Sequence, residues 1–286
     1  MSILIPNIIL QRFGNIPYDK VRSIRNTIEE CYYRLAPHHV ELLDLLLFER
    51  LAQMNSFYMY QRQRLGVTSE ALSEQFFAIH DAWQGTPRIG VCLERLKQIP
   101  QLVQTGALRH EVGHSILHGS VEHYVFPIPP PLLEASKSFR LSRDYLYSIL
   151  YLVSIAVKDF EVTRLLVEKG YVEDQLAYSI HVLAASQDDL KAWSMAQGKP
   201  AAVTLCAASR LKDAACTIAI RQVLQGSPVE TLKKELSYLQ GPMLDRFLQV
   251  TEVWPQHMTA DTLGNVNATV KLFVEAFLEP VFVESK

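Results

Sequence analysis

The chain is predicted to adopt an α+β fold that is predominantly helical. It should carry a small β-sheet or hairpin in its N-terminal half and an all-helical C-terminal half. Three observations predict this. Two short apolar runs, residues 75–83 and 88–93, flank the turn-forming Gln84-Gly85-Thr86-Pro87, the pattern of a β-hairpin. From about residue 142 onward, helix-length segments follow one another, with Gly170, Gly198, Gly226 and Gly241 near their ends, where glycine stops a helix. Between these regions Pro127 and Pro129-Pro130-Pro131 predict a stiff extended connector.

Taken in order, residues 18–35 read as a helix that Ala36-Pro37 ends. Residues 40–48 are rich in leucine and bounded by turn signals, which fits a buried strand or a helix equally well. The hairpin follows. A helix over residues 101–118 comes next, stopped near Gly119. The helical half divides into residues 142–169, 172–185, 200–225, 229–250 and 265–278. Within the first of these, Leu146, Leu150, Val153 and Val157 form a stripe that belongs in a core. Residues 1–126 thus form an α+β part ending in the 101–118 helix, and residues 127–286 a helical part. One unit with a cleft between the two parts is expected, and a cleft is where a site belongs.

Composition narrows the function. A chain of 286 residues, 49% of them hydrophobic, can bury a large core. A net charge of −2 offers no basic excess for nucleic acid. The longest apolar run, residues 145–157, ends at Lys158-Asp159 and is too short to cross a bilayer. The start, Met1-Ser2-Ile3-Leu4-Ile5-Pro6, has no basic region of a signal peptide. The four cysteines, Cys31, Cys92, Cys206 and Cys216, are scattered without a CxxC pair. They suggest neither a disulfide framework nor a thiolate zinc site, and point to the reducing cytoplasm.

The segment with chemistry is His110-Glu111-Val112-Gly113-His114, an HExxH sequence on the predicted 101–118 helix. Four residues are slightly more than one helical turn, so the two imidazoles project from one face and can grip one ion. Glu111 stands beside them as a general base. Leu108, Val112 and Ile116 form a separate apolar stripe that would anchor the helix. Chance would produce HExxH on the order of once in a hundred chains of this composition. Gly113 suggests a close approach, such as that of a sheet.

A third ligand is needed. His118 continues the four-residue spacing, but three such residues span about 12 Å of helix axis. One ion cannot easily be reached from all three, so His118 is read as supporting a ligand or as a helix-terminal residue instead. His123 is a weaker alternative. The segment Lys158-Asp159-Phe160-Glu161 offers two carboxylates. At 100° per residue, Asp159 centres on a face of Leu152, Ile155, Ala156, Val162, Thr163 and Leu166, whereas Glu161 lies among Lys158, Arg164 and Glu168 on a face expected to be solvated. A carboxylate on an apolar face needs a cation or strong hydrogen bonds. Asp159 is therefore preferred, with Glu161 kept open.

His110-Glu111-Val112-Gly113-His114 followed by Leu117-His118 resembles the zincin metallopeptidase signature in its HEIGHxxLH form. The segment Asp159-Phe160-Glu161-Val162-Thr163 is similar to the downstream acidic helix of glutamate- or aspartate-type zincins. The resemblance implies that His110 and His114 hold one Zn2+ per chain and that Glu111 is the general base. It also implies a sheet edge that pairs with extended substrate, here residues 88–93. The downstream spacing departs from the family's ExxxD. The expected function is a zinc-dependent intracellular peptidase acting on peptides or proteins, without nucleic-acid or membrane partners; the alternative is a non-catalytic zincin-like metal-binding or regulatory module. Tyr124, Tyr171 and Tyr178 are candidates to stabilise an oxyanion. His38-His39 after Pro37 reads as a solvated helix start, and His80 and His181 read as isolated.

Overall fold

The computed structural model describes residues 5–64, 77–221, 223–224, 227–239 and 241–285. Residues 1–4, residues 75–76 of the expected hairpin, residues 222 and 225 of one expected helix, residue 240 of another and the stop signal Gly226 lie outside the described residues. The fold is α+β and predominantly helical. Among the described residues no helix is long and apolar enough to cross a membrane.

The chain falls into two compact units. One comprises the chain up to Tyr124 together with Glu168–Tyr178, and the other Val125–Val167 together with the chain from Ser179 onward.

The first unit contains β1 (Asn7–Phe13), α1 (Tyr18–Leu35), β2 (Leu42–Phe48), α2 (Leu51–Arg64), β3 (Ala78–Asp81), β4 (Arg88–Cys92), α3 (Leu93–Leu96) and α4 (Gln101–Leu117). The strands form a sheet in the order β1-β2-β4-β3. The pairs β1–β2 and β2–β4 are parallel, and β3–β4 is the antiparallel hairpin. The leucine-rich run resolves as strand β2, whose Leu43, Leu45, Leu46 and Leu47 are all buried. A parallel strand covered on both faces reads as such an apolar run. Residues 88–93 were expected to be the edge that pairs with substrate. Instead β4 lies inside the sheet, bonded to β2 and β3, and among the described residues β1 and β3 are the edges. Helix α1 packs on α4, and α4 packs on β3 and β4.

The second unit is helical. It holds α5 (Pro130–Phe139), most of α6 (Arg143–Glu168), the end of α7 (Val172–Leu183), α8 (Gln187–Ala196), α9 (Pro200–Arg221), α10 (Ser227–Leu236), α11 (Gly241–Val253), α12 (Thr262–Phe273) and α13 (Glu279–Glu284). The stripe Leu146, Leu150, Val153 and Val157 is buried in its core beside Leu211, Ile218 and Phe277. Trp254 packs against Phe160 at a tilt of 48° and donates its indole N–H to Thr269 Oγ1 at 2.8 Å.

Three elements differ from expectation. The triple proline does not prolong a connector: Pro129 caps α5, and Pro130 and Pro131 occupy its first turn, where a missing N–H costs nothing. The helix expected over residues 229–250 is instead divided between α10, followed by a 3-10 turn at Ser237–Leu239, and α11, with Gly241 at φ +50 where α11 begins. Helix α8 starts from Ser186, whose hydroxyl accepts from Asp189 N–H while Asp189 bonds back to the Ser186 N–H. That reciprocal capping box is a start signal carried by Ser186-Gln187-Asp188-Asp189.

Gly106 is where α4 meets α7. A Cβ built there would stand 2.3 Å from the Asp174 carbonyl oxygen and 2.9 Å from Tyr178 Cβ. Gly106→Ala should therefore lower the unfolding free energy by about 1–3 kcal/mol, measured by urea denaturation. Unchanged stability would contradict so close an approach.

Candidate metal centre

Helix α4 is held on several sides within the first unit. On one, Ser115 donates its hydroxyl to the Val112 carbonyl at 2.7 Å, which leaves Tyr32 of α1 as the donor in the 2.5 Å contact between the two hydroxyls. On another, Arg109 pairs with Asp174 at 2.5 Å and with Glu30 at 3.1 Å. The Arg109 guanidinium lies 4.2 Å from the Tyr171 ring centroid, and the Tyr171 hydroxyl donates to Glu30 at 2.9 Å. Gln175 donates to the Gly106 carbonyl at 2.9 Å. Both Asp174 and Gln175 are buried. Tyr171 is thus an anchor of the helix.

The face left by these anchors presents the motif. His110 is 1% exposed and Glu111 7%, while His114 is half-buried. The Nε2 atoms of His110 and His114 lie 3.1 Å apart. Zinc–imidazole bonds of about 2.0–2.1 Å at tetrahedral angles would place two ring nitrogens about 3.3 Å apart. The pair therefore fits an ion with little movement; the same distance also suits one hydrogen bond between the rings. Tyr178 of α7 covers His110, ring centroids 4.9 Å apart. Gly113 is buried on this helix.

His118 ends the helix and is fully buried. Its Nδ1 lies 3.2 Å from His114 Nδ1. The row of three histidines is thus joined through the two nitrogens of the middle ring, and His118 stands behind His114. His123, in the short 3-10 turn Val121–Tyr124, packs edge-on against His118 at 5.2 Å.

His80 was expected to be isolated. On the edge strand β3 its ring instead stacks parallel to His114, 5.8 Å away, and its Nδ1 lies 3.2 Å from the Tyr124 hydroxyl. Burial, with the carboxylates of Asp81 and Glu111 nearby, pushes the Tyr124 phenol well above its ordinary range. Tyr124 therefore remains a hydrogen-bond donor at neutral pH. The next residue, Asp81, is clamped by buried Arg88 at 2.6 Å, which also donates to Gln61 at 2.9 Å and faces the Trp83 ring. Burial outweighs Arg88 and raises the Asp81 carboxyl. Sequence spacing could not link His80 to His114, because strand pairing and helix docking bring them together. His38, expected at a solvated helix start, instead lies buried in the loop after α1 with its ring against Tyr32, and His181 is exposed on α7.

The two carboxylates of α6 belong to the helical unit. Glu161 was expected on a solvated face, yet it is 6% exposed. Its oxygens accept from Asn265 Nδ2 at 2.5 Å and Thr262 Oγ1 at 2.9 Å. Helix α12 covers the side that the charge pattern marked as solvent. Burial raises the Glu161 carboxyl, with Asn265 and Thr262 opposing. Asp159 is half-buried, and one of its oxygens lies within 4.8 Å of the Cys216 sulfur on α9. Burial opposes the charge on Lys212, but Asp213 and, more weakly, Asp159 hold its ammonium above the lysine range.

Comparison with protein-family models, with curated proteins and with solved structures finds no match for this chain.

Removing the Arg109 anchor strands the buried Asp174. Arg109→Met should cost about 2–4 kcal/mol, somewhat below a fully buried pair because Arg109 is part-exposed. Arg109→Met/Asp174→Asn should recover part of that loss, as read by urea unfolding. Full stability in the single variant would show that the pair does not secure the helix.

Proposed function

We propose that the protein is a zinc-dependent metallopeptidase of zincin type. The observation that carries the reading is the 3.1 Å separation of His110 and His114 Nε2 on a helix that buries Glu111 beside them. A divalent ion held there would lower the pKa of a water and polarise a carbonyl. Glu111 then accepts a proton from the attacking water at its carboxylate and passes it to the departing amine. Tyr124, kept protonated and set beside His80, can donate a hydrogen bond to developing negative charge. Asp159 is put forward as the third ligand on its sequence position, and Glu161 is assigned to holding α6 and α12 together through Asn265 and Thr262. The scattered cysteines support a reducing, cytoplasmic setting.

Purified full-length protein should carry about one zinc per chain by elemental analysis, consistent with the ligand number of such sites. His110→Ala should lose it. Glu111→Gln should keep zinc while cleavage of a mixed library of unstructured peptides falls by about 100-fold or more. Zinc without any cleavage in the wild type would leave the non-catalytic alternative. No zinc after incubation with zinc salt would end the reading.

The two carboxylates should separate in the same assay. Asp159→Ala should release zinc. Glu161→Ala should retain zinc and lose about 1–3 kcal/mol of stability, the cost of stranding buried donors. Retention of zinc by Asp159→Ala would remove Asp159 from the ligand set.

A further inference from the structure

The geometry points to His118 as the positioning residue that presets His114 as a metal ligand, acting through an imidazole-to-imidazole hydrogen bond. This inference rests on the metal-binding reading of His110 and His114.

The contact has an exact donor requirement. His114 Nδ1 and His118 Nδ1 lie 3.2 Å apart, and one hydrogen must sit between them. If His114 donates, its hydrogen is on Nδ1 and the lone pair is on Nε2, the atom 3.1 Å from His110 Nε2. If neutral His114 accepts instead, its hydrogen moves to Nε2 and blocks that atom as a ligand. Whatever makes His118 the acceptor therefore selects the ligating tautomer of His114.

His118 is built to hold that place. It is fully buried, which is costly for an imidazole without a polar partner. Its backbone N–H donates to the His114 carbonyl at 2.7 Å, so main chain and ring both tie it to the same residue. At φ −129 it has left the helix, and His123 packs edge-on against its ring. A histidine at a helix end often serves by bonding the last carbonyls. Here Nδ1 is directed to the His114 ring, which a capping role does not require. A carboxylate is the commoner partner for a ligating histidine. An imidazole partner fixes the orientation without adding negative charge.

The atom used makes the test specific. The side-chain amide of asparagine reaches the position of a histidine Nδ1, and that of glutamine the position of Nε2. Zinc affinity is measured by competition with a chromophoric chelator on the full chain for wild type, His118→Ala, His118→Asn and His118→Gln, with thermal unfolding of the zinc-free proteins alongside. His118→Ala should bind zinc about 10–100-fold more weakly. His118→Asn should restore most of that affinity, and His118→Gln should not, at comparable zinc-free stability. Should His118→Ala fold poorly, the asparagine–glutamine difference decides. Wild-type affinity in His118→Ala, or equal affinity in the asparagine and glutamine variants, would overturn the role of His118 while leaving the metal site standing. Absence of zinc binding by the wild type would overturn both.

Discussion

The constraint on which the first unit turns is that one helix must bury polar groups on several faces at once. Helix α4 carries His110, Glu111, Ser115 and His118 into the interior. Each buried polar group needs a partner, or its desolvation is uncompensated. Tyr32 answers Ser115, and the Glu30–Arg109–Asp174 cluster with Tyr171 grips the flank. Gly106 admits α7 at a distance no side chain would allow. With those faces secured, the remaining face of the helix presents His110, His114 and His118 in one row.

That division of labour explains why the histidines form a row and not a scatter. Three imidazoles at four-residue spacing follow one side of a helix, and each ring has two nitrogens. The middle ring can therefore look both ways, toward His110 with Nε2 and toward His118 with Nδ1. The hairpin brings a fourth ring, His80, flat against the middle one. On the same strand the neighbouring residue, Asp81, is held by buried Arg88.

The parts legible in sequence were those governed by short-range periodicity. The 101–118 helix, the facing of His110 and His114, the hairpin turn and the core stripe of α6 follow from spacing alone. The place of His118 at the helix end, one turn beyond His114, also follows from the length of a helical turn. What sequence could not supply were contacts made by packing. The nearness of His80 depends on sheet order, and the same order moved residues 88–93 from the edge to the interior. Glu161 sat in a charged stretch and looked solvent-facing, but α12 lies over it and offers two donors. The prolines misled because proline suits an extended run and a first helical turn equally. The Ser186–Asp189 capping box was readable and marks the start of α8.

The first unit is not a continuous stretch of chain: Glu168–Tyr178 returns to it after the span from Val125 to Val167 has gone to the other unit. Domains tend to fold as units while a protein is being synthesised. Here the ribosome must have released Asp174, Gln175 and Tyr178 before Arg109, Gly106 and His110 can meet their partners. By then the whole of α6 has already emerged. The histidine helix is made early but braced late, only after the whole of α6 has been synthesised.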